Sequence, residues 1–200
     1  LYSFVANEGG VNEVSEFSFY GTNSFHHVWE KVCAQVLDNQ LEKTIKDLYL
    51  PVPLSDNYSH LSNTKLKELI EKPVWNSKNQ EFIADKTLIP DLITIQCEKN
   101  GEFQFLIFDA KYYNISFNKN KIERQPGIES ITKQYLYQLA YKDFLEEHKF
   151  KVVKNCFLFP TEEEGIYDIG SVKMNMLANL GLEHIQLRLL SADLAYDYFL

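Results

Sequence analysis

The sequence predicts an α/β domain built on a mixed central β-sheet flanked by helices. Two strongly apolar runs, at 88–95 and 103–108, stand on either side of Glu98-Lys99-Asn100-Gly101-Glu102. That arrangement is a hairpin signature, because Asn-Gly accepts the φ > 0 conformations of a tight turn. Apolar residues at helical spacing occur before the hairpin at 25–37 and after it at 128–148. The 200 residues, 45% hydrophobic and 14% aromatic, suffice for one domain with a sizeable core and exclude a disordered chain.

The elements follow in chain order. The first helix is expected over 25–37, with Phe25, Val28, Trp29, Val32 and Val36 on one stripe and Ser24 as N-cap. Residues 38–62, with Pro51, Pro53 and a polar cluster at 55–59, read as loop. A short helix is expected from Thr64 to Glu71, ended by Pro73. Strands at 88–97 and 103–111 form the hairpin, and their flanks read as strands buried on both faces. After Gln125-Pro126-Gly127 a long helix is expected from Ile128 to His148, apolar around much of its circumference and packed from more than one side. Strands at 152–159, near 166–169 and at 184–190 complete the sheet, with Ser191 capping a closing helix that ends in Tyr198-Phe199-Leu200.

The chemistry concentrates in the hairpin. Pairing its strands brings Asp91 near Asp109, and period-two alternation places Asp109 and Lys111 on one face. Two carboxylates would repel each other at a strand end without a cation. Mg²⁺ prefers hard oxygen ligands, typically one or two carboxylates completed by water and substrate phosphate. Asp91 and Asp109 are the expected carboxylates, with the Ala110 carbonyl as a third oxygen and Mn²⁺ as a substitute metal. Lys111 would face the attacking water or stabilise charge on a pentavalent phosphate. The expected reaction is phosphodiester hydrolysis.

The order of these motifs resembles the PD-(D/E)xK nuclease superfamily, with its restriction-endonuclease-like core. More narrowly, Phe-His-His-Val-Trp-Glu-Lys-Val-Cys at 25–33, Lys-Pro-Val-Trp at 72–75, Phe-Asp-Ala-Lys-Tyr-Tyr at 108–113 and Lys-Gln-Tyr-Leu-Tyr-Gln-Leu-Ala-Tyr at 133–141 resemble the nuclease subunit of McrBC/LlaJI-type restriction systems, the McrC-like chain. The resemblance covers roughly residues 17 to 200. It implies a catalytic core of Asp91, Asp109 and Lys111, an auxiliary acid at Glu30 on the first helix, and a separate AAA+ GTPase motor subunit, McrB-like. From the later helix, Gln134 or Lys133 would help position substrate. Four residues after Gln134 stands Gln138, with Tyr141 beyond it, so the glutamine that contacts the site stays open between the two.

The formal net charge of −8 opposes coating of DNA by charge alone. Locally, residues 111–133 hold five basic and two acidic side chains. The loop Asn118-Lys119-Asn120-Lys121, with Arg124, is expected to grip backbone phosphates. Three scattered cysteines, Cys33, Cys97 and Cys156, indicate neither a disulfide framework nor a zinc site and fit a reducing cytoplasm. No apolar run approaches the roughly 20 residues that span a bilayer. The chain is expected to be one nuclease domain over 1–200, the C-terminal part of a longer protein, with 1–20 as a leading segment. One such site nicks one strand, so double-strand cleavage needs two copies. Two alternatives stay open: a repair or structure-specific nuclease without a GTPase, and an inactive nuclease-like assembly platform.

Overall fold

The computed structural model describes residues 25–199. The leading segment, Ser24 and Leu200 lie outside the described residues, so the expected cap on the first helix does too. At the centre is a five-stranded mixed sheet in the order β3-β4-β7-β9-β8. Its strands are β3 (Leu92–Cys97), β4 (Phe103–Ala110), β7 (Val152–Thr161), β8 (Ile166–Val172) and β9 (Ile185–Ser191). β3 and β4 pair antiparallel, β4–β7 and β7–β9 are parallel, and β8 returns antiparallel to β9.

Alternation along β4 divides the core. Leu106, Phe108 and Ala110 pack with Trp29, Val32 and Cys33 of α1 (Phe25–Val36) and with Ala195 of α5 (Ala192–Phe199). Phe105 and Ile107 point the other way, against Tyr137 of α3 (Ile128–Ala140) and Phe144 and Leu145 of α4 (Lys142–Glu147). Asp109 therefore falls on the α3 side.

The hairpin turn forms where the sequence places it. Glu98 N–H donates to Glu102 O at 2.9 Å and Gly101 N–H to Glu98 O at 2.8 Å. Only Gly101 adopts positive φ (+80°); Asn100 instead accepts the Glu102 N–H on its side chain at 2.9 Å. β3 is an edge strand, yet Leu92–Ile95 are buried. The turn after α1 shields that edge: Gln40 N–H donates to Ile93 O at 2.8 Å, and Asn39 Oδ1 accepts the Ile93 N–H at 3.0 Å. Edge N–H and C=O groups are thereby paired without a further strand.

Several expectations are corrected. The helix over 128–148 is two helices, interrupted at Tyr141, where φ −92° and ψ −2° lie in the bridge region. It is not covered all round, since Ile128 and Leu136 are exposed. The segment 64–71 forms only a 3₁₀ turn, Leu66–Leu69. The supposed loop 38–62 contains a 3₁₀ turn at Ile45–Asp47 and a short helix α2 (Asp56–Ser59). The loop at 118–121 is the tip of a second hairpin, β5 (Ser116–Asn118) with β6 (Lys121–Glu123). A hairpin that was not anticipated, β1 (Val74–Ser77) with β2 (Gln80–Ile83), precedes the acid-bearing segment.

Candidate active site

Pairing of Leu92 with Phe108 sets Asp91 opposite Asp109, just beyond the end of the β3 ladder. The Ala110 N–H donates to Asp91 Oδ2 at 2.8 Å. An extended residue turns its N–H and C=O to the same strand edge, so the Ala110 carbonyl leaves β4 on the Asp91 side. Lys111 N–H donates to Leu158 O at 2.8 Å, which carries the β4–β7 register one residue further. The Lys111 ammonium lies 2.5 Å from Asp109 Oδ1 and 5.9 Å from the centre of the Phe157 ring. The contact is a close ion pair within hydrogen-bonding reach, and it draws the Asp109 carboxyl down.

Asp109 is buried and Asp91 partly so. Burial, then the charge of Asp109 and more weakly that of Glu30, push the Asp91 carboxyl up to about 7, against the opposing Ala110 N–H and Lys111. Burial raises Asp109 as well, while Lys111 and, further off, Lys133 pull it down. Two carboxylates in this setting carry more negative charge than their surroundings neutralise. Their oxygens and the Ala110 carbonyl form a hard donor set of the kind Mg²⁺ takes, a set that water and substrate phosphate usually complete. These residues fit a divalent cation. Among the described residues, no three His, Cys, Asp or Glu side chains gather closely enough to enclose a metal on their own.

The remaining expected residues fall into three groups. Glu30 and Lys133 are close enough for both charges to act on Asp109. Glu30 also contacts His27 Nδ1 at 3.2 Å, and it is not gathered with the two aspartates into one tight cluster. Gln134 is fully buried, its Nε2 donating to Cys156 O at 3.3 Å while Asn155 Nδ2 donates to its backbone carbonyl at 2.7 Å. Gln134 thus packs between α3 and β7, while Lys133, one residue earlier, is exposed. Gln138 is also buried. Lys119 and Lys121 sit on the exposed β5–β6 hairpin, with Arg124 just after it, and Lys121 pairs with Glu123 at 3.3 Å. They are not among the charges that shift either aspartate.

Sequence reasoning did not single out one contact. The Tyr137 hydroxyl donates to Ile89 O at 3.0 Å, two residues before Asp91. The only sequence signal was its position on the α3 face, shared with Tyr141.

No helix among the described residues is long and apolar enough to cross a membrane. Residues 7–68 and 56–193 match the LlaJI restriction endonuclease family. Over 187 residues, 92% of its length, the chain is 35% identical to the Type II restriction enzyme BsuMI component YdjA of Bacillus subtilis (strain 168). It spans 34% of that relative's length, about one third. No solved structure matches the chain.

Proposed function

The chain belongs to the LlaJI restriction endonuclease family, and from that premise we propose that it is the Mg²⁺-dependent DNA-cleaving domain of a restriction system, with a PD-(D/E)xK core like that of McrC-type subunits. The observation that carries this reading is the pairing of half-buried Asp91 with buried Asp109, with Lys111 held against Asp109. Asp91, Asp109 and the Ala110 carbonyl would hold the metal, and Mn²⁺ would substitute for it. When bound, Mg²⁺ lowers the pKa of water and offsets charge that builds on the scissile phosphate. Lys111, paired with Asp109, would orient the attacking water and stabilise negative charge on phosphorus. Water oxygen bonds to phosphorus as the phosphorus–oxygen bond to the leaving sugar breaks, the proton shed by the attacking water passing to solvent and the leaving sugar oxygen taking a proton from solvent. Glu30 would support the metal shell from α1, and the charge of Lys133 on α3 draws the Asp109 carboxyl down.

Lys119, Lys121 and Arg124 would contact backbone phosphates, which fix the duplex without reading its sequence. The overall charge of −8 makes such intrinsic grip weak. A separate AAA+ GTPase subunit would therefore deliver the DNA, and pairing of two sites would complete a double-strand break. The free cysteines Cys33, Cys97 and Cys156 suit a cytoplasmic setting.

The test is cleavage of supercoiled plasmid by the full chain with Mg²⁺ or Mn²⁺, alone and with a candidate GTPase plus GTP, beside Asp109→Ala and Lys111→Ala. The reading predicts metal-dependent nicking that both substitutions abolish and that GTP with the partner stimulates. Absence of cleavage by wild type in every condition, together with absence of metal binding by calorimetry, would leave a nuclease-like platform in its place.

A further inference from the structure

Asp91 lies outside the regular ladder of β3, so strand pairing does not fix the approach to it. Residues 84–91 run from the β2 end to the acid without regular structure. Within that lead-in, Thr87 Oγ1 donates to Glu71 O at 2.7 Å and Pro90 is buried. Among the described residues, the one hydrogen bond that ties it to the helix covering Asp109 comes from Tyr137, whose hydroxyl donates to Ile89 O at 3.0 Å. Tyr137 is 6% exposed, and its ring packs with Ile93, Ile107 and Tyr141 in the core on the α3 side. The same helix is braced on β7 by Gln134 and Asn155, at residues in register with Phe108 and Ile107 of β4. The hydroxyl thus spans from an element held to the Asp109 strand to the backbone that presents Asp91. Burial and then the charges of Asp109 and Asp91 raise the Tyr137 phenol, which keeps it a neutral donor.

We propose that Tyr137 is a positioning residue that sets the spacing of the acid pair by holding the Ile89 carbonyl, and so sets the affinity of the site for a divalent cation without touching DNA or metal. This rests on the reading of Asp91 and Asp109 as the metal carboxylates. Outer partners that hold metal-binding groups in place typically alter affinity by 10–100-fold. A hydroxyl acting through the main chain belongs at the low end, about tenfold.

The fold supplies its own comparator. The Tyr141 hydroxyl, four residues on, donates to the carbonyl of Leu66 at 3.2 Å; Tyr141 is also buried, but its bond does not lead to the segment that carries either acid. Mn²⁺ binding to the full chain is measured by calorimetry for wild type, Tyr137→Phe, Tyr141→Phe and Asp109→Asn. Both phenylalanines fill the vacated ring volume, and hydrogen exchange of peptides covering 84–91 gives a second readout. Expected are about tenfold weaker Mn²⁺ binding and faster exchange in Tyr137→Phe, against Mn²⁺ affinity within twofold of wild type in Tyr141→Phe. Wild-type affinity in Tyr137→Phe, or equal losses in the two tyrosine variants, would overturn the positioning role. If Asp109→Asn binds Mn²⁺ as wild type does, the metal reading itself falls, an outcome distinct from either of those.

Discussion

Replacing Asp91 by asparagine removes one charge from the acid pair while keeping an oxygen to accept the Ala110 N–H. In the folded wild type this carboxyl is pushed from 3.8 to about 7, mainly by burial and then by Asp109. At 1.36 kcal/mol per pH unit, such a rise corresponds to about 4 kcal/mol of folding stability lost once the pH exceeds both values. The sign follows from the raised folded pKa. The native state holds the proton more tightly than the unfolded chain, so stability is full below about pH 4 and is lost as the pH rises through about 7. Asparagine avoids that loss, but its new amide N–H needs a partner in a partly buried site, at a cost of about 1–2 kcal/mol. The net expectation for Asp91→Asn without metal at pH 8 is about 2 kcal/mol of added stability, or about 4–8 °C in Tm for a chain of this size. Thermal and urea unfolding in EDTA from pH 4 to pH 8 measures it. Near pH 4, where the carboxylate loss is absent, the variant should be less stable by that amide cost of about 1–2 kcal/mol, and the difference should reverse sign as the pH rises through about 7. Adding Mg²⁺ should then stabilise wild type alone, because only wild type retains both carboxylates to bind it. A variant less stable than wild type at pH 8, or a gap that does not change with pH, would show that the pair is not the electrostatic liability described.

Three further outcomes follow from other parts of the molecule. Substituting Lys119, Lys121 and Arg124 together by alanine should weaken DNA binding on any sequence and lower the slope of log affinity against log salt by about 2–3; anisotropy in Ca²⁺ with labelled duplexes reads this, and an unchanged slope would remove the arm from the interface. Asn155→Ala loses the bond to the Gln134 carbonyl and should cost about 1–3 kcal/mol in urea unfolding, whereas a neutral result would mean that this brace carries no energy. Gly101→Val forces a β-branched side chain to φ +80° and should destabilise the hairpin by about 1–2 kcal/mol without altering plasmid cleavage by a chain that stays folded.

Much of the site was legible because hairpin register is a one-dimensional property. Once Asn100-Gly101 is the turn, pairing places Asp91 across from Asp109, and alternation puts Lys111 two residues on from Asp109 along the same edge. The α1 stripe and the β7 and β9 strands were legible from apolar spacing. The β1–β2 hairpin was not. Its cross-strand pairs Val74–Ile83 and Trp75–Phe82 are exposed on both faces, so no alternation marks it, and its turn uses Lys78-Asn79 at φ 50° and 63° rather than Asn-Gly. The break at Tyr141 lies within a continuous helical pattern and depends on a backbone torsion that residue type does not dictate. The place of Gln134 was out of reach for a similar reason. Helical period says which residues share a face, but which of Lys133 and Gln134 turns inward depends on how α3 docks on β7. The shielding of β3 by Asn39 and Gln40 is a contact between segments 54 residues apart, Asn39 and Ile93, and no local pattern carries it.

The measurement that bears most directly on the central claim is the position of Mn²⁺ by anomalous scattering in crystals of the full chain soaked with the metal. A peak at about 2.1 Å from carboxylate oxygens of both Asp91 and Asp109 and from the Ala110 carbonyl, absent in Asp109→Ala, is the result predicted. Crystals that bind Mn²⁺ elsewhere, or show no peak beside Asp91 and Asp109 at saturating metal, would contradict the assignment of this pair as the site of DNA hydrolysis.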